Sequence, residues 1–148
     1  LPEGVRVELG PLADDVPPVA ADEAQLRQVL DNLLDNAIKY SPSGGDVRLG
    51  VDEADGAVRF SVADPGLGVP ASERTRIFEK FYRLDPDMTG GIGGTGLGLY
   101  IARELVRRVG GRIWVEPNDE QGSVFYVEIP AAGGPHLTHM GQKAALGR

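Results

Sequence analysis

The strongest hydrophobic pattern in the chain lies between Asp22 and Pro42. Apolar residues recur there at intervals of three and four, at Leu26, Val29, Leu30, Leu33, Leu34, Ala37 and Ile38. This spacing places them on one face of an α-helix. Asp22 is a favourable N-cap residue with Gln25 three positions later, as in a capping box, and Pro42 disfavours helical geometry at the residue before it. The pattern therefore predicts an amphipathic helix that begins after Asp22 and ends near Tyr40.

Several short segments of alternating or β-prone residues are typical of strands. The predicted strands are Val5–Leu9, Val19–Ala20, Asp46–Glu53, Ala57–Asp64, Arg112–Glu116 and Ser123–Ile129. The third and fourth of these are separated by three residues that end in Gly56. Because Gly56 can adopt a positive φ, we expect these two strands to form an antiparallel hairpin.

Helical spacing returns in two later segments. A short helix is predicted from Ala71 to Phe81, and a longer one from Leu97 to Val109, where the two glycines that follow supply a C-cap. Between these helices, Leu84–Thr95 has no apolar periodicity and is rich in glycine. We therefore expect this segment to be a mobile lid rather than a regular element.

Composition limits the class of protein. The chain has 148 residues, enough for one domain, which we assign to residues 1–130, with a disordered or non-native tail at residues 131–148. The formal net charge of -7 argues against a broad nucleic-acid surface, because phosphate backbones require clustered cations. The absence of cysteine excludes disulfides and thiolate metal sites and fits a reducing compartment, so we expect a cytoplasmic domain.

The sequence contains no membrane or secretion signal. No apolar run reaches the roughly 20 residues that span a bilayer, and no signal-peptide pattern opens the chain. We therefore expect this piece not to be inserted in a membrane. It begins at Leu1 without an initiator methionine, so we also expect it to belong to a longer protein, whose membrane anchorage is left open.

Three polar residues share one flank of the first predicted helix. Asn32, Asn36 and Lys39 lie three and four positions apart, which makes them neighbours on a helix surface. Asparagine is a poor residue for a helix interior, so two at this spacing require an explanation. One explanation is an ordinary polar helix edge. The other is ligand binding, because amide oxygens suit Mg²⁺ and a lysine one turn away suits phosphate.

The loop after the predicted strand Ala57–Asp64 has the sequence DPGLG. An aspartate at a strand end can accept a hydrogen bond from the exocyclic amine of a base. Gly66 and Gly68 let a flat ring approach the backbone closely. An ordinary turn has the same composition, so this motif alone leaves both interpretations open.

A glycine loop, GGIGGTGLGLYIA, opens directly into the predicted helix at Leu97. Backbone N–H groups and the positive end of the helix dipole suit an anion such as phosphate. The loop lacks the Lys-Ser/Thr pair of a P-loop, and the segment before it is not the strand that a dinucleotide-binding fold requires. A flexible linker is the alternative, and the helix that starts at once after Gly96 argues against it.

These motifs, with IFEKFYR between the last two, resemble the catalytic ATP-binding domain of sensor histidine kinases, within the GHKL superfamily. NLLDNAIKY is similar to the N box, DPGLG to the G1 box, IFEKFYR to the F box and GTGLGL to the G2 box. The order of all four motifs over roughly residues 1–130 carries the resemblance. It implies an α/β (α+β) two-layer sandwich, with a mixed, largely antiparallel sheet and helices packed on one face. It also implies ATP and Mg²⁺ as cofactors.

The resemblance also implies which residues bind the nucleotide. They are Asn32, Asn36, Lys39, Tyr40, Asp64, Gly66, Gly68, Arg83, Gly94, Thr95, Gly96, Leu97 and Gly98. Asn36 would hold Mg²⁺ with Asn32 assisting it, and Lys39 would contact the phosphates, so these three residues are the expected catalytic set. Tyr40 would cover the adenine, and Asp64 would accept a hydrogen bond from its amine. The glycine loop would wrap the phosphates.

The F box has two expected roles in the resemblance. Arg83 would be a further phosphate contact. Phe78 and Phe81 would anchor the lid against the core. Both expectations are what the resemblance implies for the F box, which directly precedes the predicted lid.

One departure from the wider superfamily bears on the reaction. Where its gyrase and chaperone ATPases carry a glutamate that acts as general base on water, this chain has Asn32, which cannot take a proton. We therefore expect slow ATP hydrolysis. In histidine kinases the γ-phosphate passes to a histidine on a separate dimerisation domain. His136 and His139 do not follow the acceptor pattern, so we expect the acceptor domain, and beyond it a response regulator, as partners outside this chain.

Two alternatives to a protein histidine kinase remain. A GHKL serine kinase of the anti-sigma type would phosphorylate a separate protein, and a non-catalytic scaffold would keep the fold without ATP. The F box, the Lys39-Tyr40 pair and the spacing of GTGLGL favour the histidine kinase over the serine kinase. Every ligand-facing position that the family requires is present, which argues against the scaffold.

Overall fold

Five strands and two α-helices account for the regular structure of the described residues. The computed structural model describes residues 5–12, 19, 21–41, 44–82, 97–119 and 121–132. In chain order the elements are β1 (Val5–Leu12), α1 (Glu23–Lys39), β2 (Gly45–Ala54), β3 (Ala57–Asp64), two 3₁₀ turns (Ala71–Glu73 and Arg76–Phe78), α2 (Gly98–Arg108), β4 (Arg112–Pro117) and β5 (Ser123–Pro130). The strands form one sheet in the order β1-β2-β3-β5-β4, in which β1 is parallel to β2 and the other pairs are antiparallel. The predicted mixed, largely antiparallel sheet is confirmed.

Strand β3 shows how the sequence pattern selects the covered face of the sheet. Val58, Phe60 and Val62 are buried, and the residues between them are only partly buried. The turn that joins β2 to β3 consists of Asp55 and Gly56, whose φ values are 50° and 81°. Two-residue hairpin turns require positive φ at such positions. The predicted hairpin is therefore confirmed, with two residues in the turn rather than three.

Both helices pack on the same face of the sheet. Helix α1 buries Val29, Leu33 and Ala37, and α2 buries Ala102 and Val106, against a core that continues into β3 and β5. The apolar spacing of the first helix thus forms its buried stripe, and the two-layer sandwich is confirmed. Neither helix, within the described residues, has the length and apolar composition needed to cross a membrane.

The opposite face of the sheet carries charged and aromatic side chains. Trp114 stacks on Tyr126 with 5.1 Å between the ring centroids. Glu128 accepts hydrogen bonds from the Nε atoms of Arg59 and Arg112, at 2.8 Å and 2.9 Å. Ion pairs and ring stacking, rather than a second apolar layer, therefore organise this face.

The helix ends lie close to their predicted positions. Asp22 is the N-cap residue of α1 in extended geometry, but its side chain makes no capping hydrogen bond, so the predicted capping box is wrong. Helix α1 ends next to Tyr40, as expected. Helix α2 ends in a Schellman motif, in which Gly110 has φ 79° and the N–H of Gly111 donates to the carbonyl of Val106 at 3.0 Å. The glycine C-cap is confirmed.

The helix predicted from Ala71 to Phe81 is not formed. Two 3₁₀ turns occupy this segment instead. Only Ile77 and Phe78 are buried in it. These two adjacent residues form a single contact area with the core. A helix would need buried residues repeated at intervals of three and four along the segment.

The two N-terminal strand predictions have different outcomes. Val5–Leu9 is part of β1, which continues to Leu12 after a shift in register. Val19, which was predicted to start a strand, forms one isolated antiparallel bridge with Ala131. In the sequence, Val19 follows two prolines, which have no N–H to donate to a strand ladder. Ala20 lies outside the described residues.

The two phenylalanines of the F box have different environments. Phe78 is buried and packs edge-on against Phe125, with 6.1 Å between the ring centroids. Phe81 is 62% exposed and has a φ of 64°, in the left-handed region. The prediction that Phe81 packs on the core is therefore wrong. The lid itself, Leu84–Thr95, lies outside the described residues.

The contrast between the two phenylalanines can be measured by urea unfolding. Phe78→Ala should lower the free energy of unfolding by about 3–5 kcal/mol, because it leaves a cavity in the core. Phe81→Ala should change it by less than about 0.5 kcal/mol, because the side chain is exposed. Equal losses for the two variants would contradict the different burial of the two rings.

Candidate nucleotide site

Three segments that are distant in sequence meet at one end of the sheet: the end of α1, the loop after β3 and the start of α2. The amide nitrogen Nδ2 of Asn32 donates to the carbonyl of Gly98 at 3.1 Å. The backbone N–H of Leu67 donates to the carbonyl of Tyr40, also at 3.1 Å. These two bonds bring together the asparagine helix, the DPGLG loop and the end of the glycine loop.

The carboxylate of Asp64 lies at the start of the loop after β3. Asp64 ends β3 and is 3% exposed. Its Oδ1 accepts a hydrogen bond from the N–H of Gly66 at 2.9 Å. Burial raises the pKa of Asp64 to about 6, and hydrogen bonds from the backbone of Gly66 and Ser123 only partly oppose this effect. The arrangement holds an orientated, buried oxygen acceptor at the strand end.

The glycines of the DPGLG loop are required by the fold itself. A Cβ atom on Gly66 would overlap the carbonyl of Tyr40 and lie 3.0 Å from Oδ1 of Asp64. Gly68 has a φ of 79°, which L side chains rarely adopt. The sequence suggested that these glycines admit a ligand ring. The structure shows that Gly66 also lets the loop approach the end of α1.

The connection between β4 and β5 supports the same loop, and sequence reasoning missed it. Nδ2 of Asn118 donates to the backbone carbonyl of Asp64 at 3.0 Å, and Nε2 of Gln121 donates to the carbonyl of Gly66 at 3.1 Å. A Cβ atom on Gly122 would overlap the carbonyl of Asp64. In the sequence this connection is indistinguishable from an ordinary polar hairpin loop, since its partners lie more than fifty positions away.

The polar flank of α1 forms as its spacing predicts. Asn32 and Asn36 are half-buried and lie one position before the buried Leu33 and Ala37, and Lys39 is exposed on the same helix. The bond from Asn32 to α2 uses its amide nitrogen, so this residue joins the two helices, a role that the sequence did not indicate. The ligand roles of the three polar residues stay predictions.

The start of α2 provides space and donors for an anion. Helix α2 has no acidic side chain in its first turn, and no side chain caps its start. Apart from its chain neighbours and the backbone of its own helix, no described residue has an atom within 4 Å of the position that a Cβ on Gly98 would take. Leu97 directly precedes this helix. The positive end of a helix without an acidic side chain in its first turn suits an anion such as a phosphate group.

Four residues of the predicted site lie outside the described residues. They are Arg83, Gly94, Thr95 and Gly96. Within the described part of the chain, no group of three or more His, Asp or Glu side chains is arranged to hold a metal ion. The described site thus consists of amides, one buried carboxylate, one lysine and backbone groups.

The burial of Asp64 makes the unfolding free energy of the chain depend on pH. The pKa of Asp64 is about 6 in the fold and 3.8 in its absence, so the folded chain holds this proton more tightly. The resulting stabilisation is complete below pH 3.8 and is lost as the pH rises through 6. Compared with Asp64→Asn, the unmodified chain should lose about 2 kcal/mol of unfolding free energy between about pH 4.5 and about pH 7.5. Urea unfolding at both pH values measures this difference, and parallel pH profiles of the two proteins would contradict it.

Comparison with known proteins agrees with this geometry. Residues 21–133 match the model of the family described as histidine kinase-, DNA gyrase B-, and HSP90-like ATPase. The sensor histidine kinase WalK of Bacillus subtilis (strain 168) is 41% identical over 114 residues, which cover 76% of this chain and 19% of WalK. The chain thus spans about a fifth of the length of this curated relative.

Two solved structures have the same fold. The catalytic domain of histidine kinase ThkA superposes with a TM-score of 0.72 at 32% identity, covering 86% of this chain and 80% of that one. Full-length ShkA, solved in complex with AMPPNP, superposes with a TM-score of 0.71 at 39% identity, covering 84% of this chain and 26% of ShkA. The chain therefore belongs to the histidine kinase-, DNA gyrase B- and HSP90-like ATPase family, and within that family it is a catalytic ATP-binding domain of the sensor histidine kinase type.

Proposed function

We propose that this chain binds Mg·ATP and donates the γ-phosphate to a histidine on a separate dimerisation domain of a two-component sensor kinase, from which a response regulator receives it. Family membership supports ATP binding and a kinase role. The observation that carries the proposal is the bond between Asn32 and Gly98, which joins the asparagine helix directly to the open start of α2. A nucleotide bound between these two elements would have its phosphates next to both α1 and the start of α2.

The base would lie at the loop after β3. Asp64 would accept a hydrogen bond from the adenine amine, since its carboxylate is already held by two backbone N–H groups. Gly66, Gly68 and Tyr40 would line the ring. Guanine presents a carbonyl oxygen at the corresponding position, which would repel this acceptor, so the arrangement selects adenine.

The phosphates would lie between α1 and α2. The backbone N–H groups at the start of α2 would bind them, and the exposed Lys39 would add a mobile positive charge. The amide oxygen of Asn36 fits Mg²⁺, which accepts one or two protein oxygens when phosphates supply the rest. When bound, Mg²⁺ would neutralise charge on the phosphate oxygens.

The reaction would need a nucleophile from elsewhere. Asn32 offers no group that can take a proton from water, so ATP should be held with little hydrolysis. In the transfer, a nitrogen of the acceptor histidine forms a bond to the γ-phosphorus. The bond from that phosphorus to the bridging oxygen breaks, and ADP leaves with the electron pair. This chain would contribute positioning and charge stabilisation.

The role of Asn36 can be tested by calorimetry with and without Mg²⁺. Asn36→Ala should weaken Mg·ATP binding roughly tenfold or more and leave Mg-free ATP affinity within about twofold, because only a metal contact is removed. Asp35→Ala, at an exposed position on the same helix, is the matched control. If Asn36→Ala lowers only the melting temperature and keeps the full effect of Mg²⁺, Asn36 is part of an ordinary polar edge.

The transfer itself can be tested with γ-labelled ATP in three samples. These are this chain alone, the chain with the histidine-bearing domain of the same kinase, and the same mixture with the acceptor histidine replaced. Acid-labile label is expected only in the second sample, because that domain supplies the missing nucleophile. Acid-stable label on a protein serine would instead indicate a serine kinase of the anti-sigma type, and rapid phosphate release by the chain alone would indicate an ATPase.

A further inference from the structure

The face of the sheet opposite to the two helices carries side chains in regular rows. Helices α1 and α2 pack on the inner face, and four of the strands lie next to each other in the order β2-β3-β5-β4. The pairing register aligns the outward residues of these four strands across the sheet. We call them the outer-face rows: Arg48-Ala63-Val124-Glu116, Gly50-Ser61-Tyr126-Trp114 and Asp52-Arg59-Glu128-Arg112.

The middle row changes from small to large residues. Gly50 on β2 has no side chain, and Ser61 on β3 has a short one. Tyr126 on β5 and Trp114 on β4 stack on each other with 5.1 Å between their ring centroids, and both are partly exposed. The outer face is therefore low over β2 and β3 and raised over β5 and β4.

The other two rows carry opposite charges at their two ends. One row runs from Arg48 to Glu116 and the other from Asp52 to Arg112, and all four of these residues are exposed. The two inner members of the second row also have opposite charges, so the sign of the charge alternates along it. Neither row has a net charge, which argues against a strongly acidic or strongly basic partner.

A second copy of the chain fits the middle row when the two outer faces lie against each other. A two-fold axis parallel to the strands, between β3 and β5, reverses the order of the strands. The β4 strand of each copy then lies over β2 of the other, and β5 lies over β3. This places Trp114 over Gly50 and Tyr126 over Ser61. The raised half of each copy therefore fills the low half of the other.

The same rotation brings opposite charges together in the other two rows. Glu116 of one copy lies over Arg48 of the other, and Arg112 lies over Asp52. The inner members of the second row also come to lie over residues of opposite charge. A two-fold axis through β3 would instead bring the two copies of Arg59 together. The charges thus favour one register, in which the shapes also match.

We propose that the outer-face rows form a two-fold symmetric contact between two copies of this chain, with the two sheets packed about 10 Å apart. This inference goes beyond the proposed function and does not depend on it. Both helices lie on the inner face, so the contact leaves α1 and α2 uncovered. The raised half contains Trp114, Tyr126 and Arg112, which are the residue types that contribute most to protein interfaces.

Several side chains of this contact are already held in place within the single chain. Glu128 accepts hydrogen bonds from Nε of Arg59 at 2.8 Å and from Nε of Arg112 at 2.9 Å, and the guanidinium of Arg112 lies 4.3 Å from the ring of Trp114. This order lowers the entropy cost of association. The rows cover only about 400 Å² of sheet, whereas a stable interface buries about 800 Å² on each partner. We therefore expect a weak dimer, with a dissociation constant on the order of 0.1 mM.

Sedimentation equilibrium of the unmodified chain should show a transition from monomer to dimer between about 1 μM and about 1 mM. Trp114 is the one tryptophan of the chain, so intrinsic fluorescence reports on this contact directly. Its emission should shift to shorter wavelength over the same concentrations, because the ring leaves water. A chain that stays monomeric throughout, or that dimerises without a change at Trp114, would overturn the proposal.

Two single charge reversals test the pairing of the outer rows. Arg48→Glu and Glu116→Arg each bring like charges together at two symmetric contacts, so each variant alone should dimerise roughly tenfold more weakly or worse. An equimolar mixture of the two variants pairs opposite charges at both contacts again. The mixture should associate with an affinity within about threefold of that of the unmodified chain. Full self-association of either variant, or a mixture no stronger than its components, would show that the copies do not meet through these rows.

A matched control separates the contact from the effect of net charge. Arg27→Glu changes the net charge as Arg48→Glu does, but it lies on α1 with its side chain 72% exposed, and its dimerisation should stay within about twofold of the unmodified chain. Glu116→Arg makes the chain less negative, so general charge repulsion alone would strengthen its association. Melting temperatures within about 2 °C of the unmodified chain would show that each variant keeps its fold. Equal losses for Arg27→Glu and Arg48→Glu would contradict the proposed contact.

Discussion

The buried carboxylate of Asp64 is the constraint on which the rest of the site depends. A carboxylate at 3% exposure loses most of its hydration, and that loss has to be offset by hydrogen bonds from the protein. Backbone N–H groups of Gly66 and Ser123 provide them, so the loop after β3 has to turn back tightly and β5 has to pair alongside. The space for this turn exists because position 66 has no side chain, and the raised pKa of Asp64 shows that the compensation is incomplete.

This arrangement makes the two ends of the site physically different. At the loop after β3, Asn118 donates to the carbonyl of Asp64, and the N–H of Leu67 donates to the carbonyl of Tyr40. At the start of α2, the N-cap residue makes no side-chain capping bond, and the described chain leaves space beside Gly98. In the proposed function, the base would bind at the loop after β3 and the phosphates would bind at this less restricted helix start.

Periodicity predicted most of the elements because each of them buries one face against a single core. The stripe of α1, the hairpin at Gly56 and the C-cap at Gly110 are local patterns whose physical cause lies within a few residues. The sequence predictions failed where a local pattern had no packing or hydrogen-bonding partner elsewhere in the fold. The 71–81 segment has too few buried residues to stabilise a helix, Phe81 has an apolar side chain but no place in the core, and Asp22 starts α1 without a capping bond.

The sequence by itself determined most of the strands, the two helices and the identity of the polar residues on α1, because alternation, helical spacing and residue chemistry are properties of neighbouring positions. Only the tertiary structure decided which distant groups meet. The bonds from Asn32 to Gly98 and from Asn118 and Gln121 to the loop after β3 join residues more than fifty positions apart. The exposure of Phe81 and the raised pKa of Asp64 were likewise set by the packing of the whole domain, since burial depends on what surrounds a residue and not on its neighbours in the chain.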